Sequence, residues 1–76
     1  MARAYLLVNV LPGKDVFIRD TLRGIRGVAC ADVVTGHYDI AAVIEGKDAR
    51  EIFDKIFQKI RNIKGINRTE TFVAVE

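Results

Sequence analysis

The chain has 76 residues, half of them apolar and 29% charged, and its 12 basic and 10 acidic side chains leave a formal charge of +2. At that length it forms one domain, since a second core would leave each half too short to fold without metal or disulfides. The balance is that of a soluble globular protein, and so small a charge gives no electrostatic footprint for nucleic acid.

The first strand is expected over Arg3 to Val10, with Ala4, Leu6, Val8 and Val10 on one face and Tyr5, Leu7 and Asn9 on the other. Its apolar run from Ala4 to Val8 is broken by Asn9 and soon by Pro12. That is too short for a signal-peptide core or a membrane span, so a soluble, cytoplasmic protein is expected. Pro12 ends the strand. A helix follows from roughly Lys14 to Gly24, with Ile18, Leu22 and Ile25 as its apolar stripe, and Gly24 and Gly27 stop it.

Val28 to Val34 and Tyr38 to Glu45 read as strands joined through Thr35-Gly36-His37, where Gly36 can supply a positive φ. Cys30, the only cysteine, lies in an apolar strand-like stretch and reads as an inert core thiol. It cannot form an internal disulfide, and with the single histidine it cannot make a zinc cage, so a reducing compartment fits and no metal is expected. A second helix is the clearest element: Asp48 and Glu51 have capping-box spacing, and Ile52, Phe53, Ile56, Phe57, Ile60 and Ile63 form one apolar face. Lys59, Arg61 and Lys64 near its end suit the helix dipole. The last strand, Asn67 to Val75, puts Thr69, Thr71, Val73 and Val75 on one face and Glu70, Phe72 and Ala74 on the other.

The chain also repeats itself. Gly13-Lys14-Asp15 returns as Gly46-Lys47-Asp48 at an offset of 33, and Ile25-Arg26-Gly27-Val28 as Ile63-Lys64-Gly65-Ile66 at an offset of 38. Each half is one strand–helix–strand unit, and the extra residues of the second copy lengthen its helix by over a turn. Two such right-handed units interleave into a ferredoxin-like α+β fold, βαββαβ, with a four-stranded antiparallel sheet carrying both helices on one face. The other face is left bare and apolar, which predicts that a second copy covers it.

The fold by itself fixes no function. Leu11-Pro12-Gly13-Lys14 stands where a metal-transport version needs paired cysteines, and the central strands lack the stacking aromatics of an RNA-binding version. His37 and Asp39 are the one pair that could serve acid–base catalysis. Gly13 offers only a weak anion site, and Lys55, Lys59, Arg61, Lys64 and Arg68 read as a solvated face. The hairpin Thr35-Gly36-His37-Tyr38-Asp39 combines turn N–H groups, a hydroxyl and an acid. Two readings of it stand side by side. It could hold a zwitterion, with the amides on a carboxylate, Asp39 on an ammonium, and Thr69 or Thr71 of another strand or subunit adding a hydroxyl. It could equally be a glycine turn closed by an Asx-type bond.

Along essentially its whole length the sequence resembles the C-terminal domain of the Lrp/AsnC transcription regulators, the domain for regulation of amino acid metabolism. The residues that carry the resemblance are Ala4 to Val10 with Pro12-Gly13-Lys14, Ile25-Arg26-Gly27-Val28, Val33-Val34-Thr35-Gly36-His37-Tyr38-Asp39, and Ile60 through Gly65 followed by Thr69-Glu70-Thr71. The resemblance implies a non-catalytic effector-binding module without cofactor. It implies dimers packed through open sheet faces, rings of dimers, and an amino-acid effector held between dimers near the hairpin. By it Gly36, His37, Tyr38 and Asp39 line the pocket, and Thr69 and Thr71 complete it from another subunit. The family's usual N-terminal helix-turn-helix domain has no counterpart before the first strand. A stand-alone form is therefore expected, one that associates with itself or with full-length regulators and does not itself bind DNA. The alternative is a small ferredoxin-like enzyme using His37 and Asp39.

Overall fold

Residues 1–75 are described by the computed structural model. Alternate side chains of the first strand, β1 (Ala2–Val10), separate as their pattern requires: Ala4, Leu6 and Val8 are buried, while Tyr5 stays exposed. There follow α1 (Asp15–Arg23), β2 (Val28–Val33) and β3 (Ile40–Gly46), then a second helix, α2, and finally β4 (Ile66–Val73). α2 is α-helical over Ala49–Glu51, π-helical over Ile52–Ile56 and α-helical again over Phe57–Arg61. It exceeds the nine-residue α1 by more than a turn, as the longer second repeat requires. The Asp48 side chain caps it by accepting from the Glu51 amide at 2.8 Å, and Glu51 in turn accepts from the Lys47 amide, one residue before the cap.

The sheet order is β2-β3-β1-β4 with every neighbouring pair antiparallel, the ferredoxin-like topology. One core forms on the helix side. Ala4, Leu6 and Val8 of β1 meet Ile40 and Ile44 of β3, and Ile18 and Leu22 of α1 join Ile52, Ile56 and Ile60 of α2. Each large aliphatic side chain buried there contributes about 1.5–3 kcal/mol of burial free energy.

The internal repeat is visible as packing. The Gly27 carbonyl accepts from the Glu45 amide at 2.7 Å, and its counterpart Gly65 accepts from the Leu11 amide at 2.8 Å. Both glycines have positive φ, 104° and 107°. A Cβ on Gly27 would lie 2.4 Å from Ile56 Cδ1 of α2, and one on Gly65 would lie 3.3 Å from Ile18 Cδ1 of α1. Each turn therefore admits the isoleucine of the opposite half's helix: at Gly27 a Cβ would collide with it, and at Gly65 the contact would be tight while the positive φ itself favours glycine.

Cys30 departs from its expected place. Val28 pairs with Ile44 but Cys30 pairs with Val43, so a β-bulge takes up one residue and flips the alternation. Ala31 becomes the buried position, and Cys30 turns outward and is exposed. A second bulge between Asn9 and Val10 pairs Val10 with Ile66, so Ile66 packs against the core cluster. β3 also starts two residues later than the alternation suggests, because Tyr38 and Asp39 belong to the connecting loop. No helix among the described residues is long and apolar enough to cross a membrane.

Candidate functional site

The β2–β3 connection is closed at its base by the Val34 amide donating to the Asp39 carbonyl at 2.9 Å. It is tied to β1 by three further bonds. The Asp39 amide donates to the Val8 carbonyl at 2.9 Å, the Val10 amide donates to Asp39 Oδ2 at 2.9 Å, and Asn9 Nδ2 donates to the His37 carbonyl at 2.8 Å. One carboxylate oxygen of Asp39 is thus committed to the end of β1, a bond to another strand rather than the Asx-type bond of a turn. Its other oxygen has no partner among the described residues. The amides of Thr35, Gly36, His37 and Tyr38 likewise have no acceptor there. Gly36, at φ 112°, has nothing within 4 Å of where a Cβ would stand. Unclaimed donors in the same loop as an unpartnered carboxylate oxygen are chemistry suited to a small zwitterion.

Tyr38 crosses the surface of β1, and its hydroxyl donates to the Glu70 carboxylate of β4. His37 is exposed, and no hydrogen bond or ion pair joins it to Asp39 among the described residues. The two sequence candidates for a catalytic pair are therefore not brought into contact.

Thr69 and Thr71 stand elsewhere. Their register partners in β1 are Val8 and Leu6, so they face the helix side, whereas Glu70, opposite Leu7, faces the open side. Asp39 bonds to Val8 from one side and Thr69 pairs with Val8 from the other, so β1 lies between them, about two strand spacings or 9–10 Å of backbone. Within one chain the hairpin and the threonines do not meet. Thr69 and Thr71 instead line a cleft of about 330 Å³ between β4 and α2, together with Phe53 and Phe57. The basic residues divide as well. Arg61 and Arg68 border this cleft, while Lys55 and Lys59 line another of about 420 Å³ with Arg26, Glu45 and Glu51.

Three contributors escaped the sequence: Glu70 as partner of Tyr38, Asn9 as the anchor of the hairpin, and Phe53 as a cleft wall. Asn9 did signal itself, as the polar break in an otherwise apolar strand. Glu70 and Phe53 become identifiable only through register and helix phase.

On the open face of the sheet, Cys30, Val43, Tyr5 and Phe72 form one cross-strand row, and Ala41 and Leu7 lie in the next. Tyr5 is 42% and Phe72 50% exposed. The Arg3–Glu45 ion pair, at 3.1 Å, borders this apolar centre, and Tyr5 and then Glu45 hold the Arg3 guanidinium above its ordinary pKa.

The family model for the Lrp/AsnC ligand binding domain matches residues 3–76. Among solved structures, TTHA0845 from Thermus thermophilus is 30% identical, with a TM-score of 0.92 over 100% of this chain and 95% of that one. The hypothetical protein PHS023 from Pyrococcus horikoshii is 29% identical, with a TM-score of 0.92 over 100% of this chain and 92% of its own. The transcriptional regulator NMB0573 of Neisseria meningitidis, solved as a complex with L-Met, shares the fold at a TM-score of 0.81 and 14% identity, the match covering 99% of this chain and 50% of that one. No curated protein matches.

Proposed function

Because the chain belongs to the Lrp/AsnC ligand-binding domain family, we propose that it is a non-catalytic sensor that binds an amino-acid effector and assembles with itself or with full-length regulators of the family. The observation that carries this reading is the hairpin. The unclaimed amides of Thr35 to Tyr38 suit a carboxylate, and the unpartnered oxygen of Asp39 suits an ammonium. The neighbour solved with L-Met lends support, since its domain of the same fold belongs to a regulator crystallised with an amino acid.

Thr69 and Thr71, on the far side of β1, serve the pocket from a neighbouring subunit, so effector binding and assembly are linked. The open sheet face supplies the first contact between copies, since an apolar centre bordered by charge is how protein interfaces are built. Assembly then places hairpins of one dimer against the β4 edges of the next. The domain acts on transcription only through the proteins it joins and itself retains no operator DNA at physiological salt.

Dialysis of the purified protein against a mixture of the twenty amino acids, followed by identification of what is retained, tests the reading. Retention of one amino acid, or of a chemically related few, at near-stoichiometric level is expected. Retention of none would remove the sensor.

A further inference from the structure

The two edge strands differ in what covers their helix-side faces. On β2, Ala31 is fully buried, and Arg23 of α1 donates from Nε to its carbonyl at 2.8 Å. On β4, Thr69 and Val73 are exposed and Thr71 is only half-buried, because no helix closes over them. The space left there is the cleft of about 330 Å³, whose opposite wall is built from Phe53, Phe57, Ile60 and Ile63. Its size falls at the lower end of the roughly 300–1,000 Å³ typical of ligand pockets, and its make-up, an apolar wall facing a few polar groups, is theirs too.

Phe53 is the exposed ring of this wall. Along the π-helical turn Ile52–Ile56, Ile52 and Ile56 are buried while Phe53 is 44% exposed beside the cleft. Its ring packs on Phe57 at 5.2 Å between centroids. Phe53, backed by the buried Phe57 and open to solvent at the mouth of the cleft, has apolar surface still to bury. The Thr69 and Thr71 hydroxyls across from it have no partner among the described residues, and Arg61 and Arg68 stand at the border. A cationic side chain entering there would meet the like charges of Arg61 and Arg68, and a short acidic one, held by those arginines at the border, would leave the exposed ring of Phe53 uncovered. A large apolar one would lose nothing it needs.

We propose that this cleft receives the side chain of the effector and selects amino acids with large aliphatic or aromatic side chains, Phe53 being the specificity-determining residue. The inference rests on the effector-binding reading above and gives that effector a chemical class. The hairpin of one copy takes the charged α-groups that all amino acids share, and the β4–α2 cleft of its neighbour reads what differs between them.

Calorimetric titration with L-Phe, L-Leu, L-Met, L-Ala, L-Asp and L-Lys tests it on the intact protein. The three large apolar amino acids are expected to bind at least about tenfold more tightly than the other three. Phe53→Ala should bring them down to the level of alanine and leave alanine itself unchanged, and Phe53→Leu should keep the aliphatic preference while weakening phenylalanine most. Equal or tighter binding of L-Asp, L-Lys or L-Ala overturns the inference while the sensor reading stands. So does an unaltered preference in both Phe53 variants. Failure of every amino acid to bind removes the sensor reading and the inference together.

Discussion

Leu6 and Leu7 are the same residue side by side in one strand, yet they belong to two different surfaces. Leu6 is 1% exposed, packed into the core under the helices. Leu7 faces the other way, half-buried on the open face with Ala41 and Glu70 as its register partners. Around it the open face carries Tyr5, Val43 and Phe72 at its centre and the Arg3–Glu45 pair at its border. Hydrophobicity alone does not distinguish the two faces. Closure does: one is a finished core, and the other has an apolar centre and a charged border of the kind interfaces have.

Substitutions at the two leucines should separate those roles. Leu6→Ala opens a cavity in the finished core, costing about 2–5 kcal/mol. At about 4–8 °C per kcal/mol for a domain of this size, thermal denaturation followed by circular dichroism should show the midpoint falling by about 10 °C or more. A midpoint unmoved by Leu6→Ala would mean that the core does not depend on β1. Leu7→Asp should act on assembly. An unpaired carboxylate buried between sheet faces is strongly unfavourable, so self-association should weaken by about 100-fold, or about 2.8 kcal/mol, with the far-ultraviolet spectrum preserved. Sedimentation velocity reads this directly, and a variant that sediments as the wild type does would count against the sheet-face dimer.

The same contrast explains what the sequence disclosed and what it withheld. Element order, the capped start of α2 and the doubled strand–helix–strand unit were all legible, because apolar periodicity, Asp48-to-Glu51 spacing and the two Ile-X-Gly signatures are local. The outward turn of Cys30 was not. It depends on a one-residue bulge opposite Val43 and Ile44, and a bulge is settled by the partner strand's register rather than by the strand's own pattern. The π-helical turn and the exposure of Phe53 within it are hidden too, since the sequence reads as an uninterrupted helical face. The hairpin residues were legible as a group. Their division of labour was not, because the Tyr38–Glu70 bond spans β1 and requires the pairing of both its neighbours to be known.

The smallest of these effects is expected at Asp39, which stands where the end of β1 meets the hairpin and has one oxygen for each task. Oδ2 accepts from the Val10 amide, a bond of the fold, and the other oxygen, without a partner among the described residues, is the one the proposed pocket would use. Asp39→Asn retains an acceptor for Val10 but loses the charge. The fold should therefore persist while a charge-assisted hydrogen bond worth roughly 1.5–3 kcal/mol is weakened, lowering effector affinity about tenfold or more. Asp39→Ala removes both functions: it should lose affinity similarly and also lower stability by about 1–3 kcal/mol, since the part-buried Val10 amide is left without a partner. Calorimetry on the two variants beside thermal denaturation separates the roles. If Asp39→Asn bound the retained amino acid as tightly as the wild type does, the carboxylate would serve β1 alone, and the zwitterion pocket at the hairpin would have to be given up.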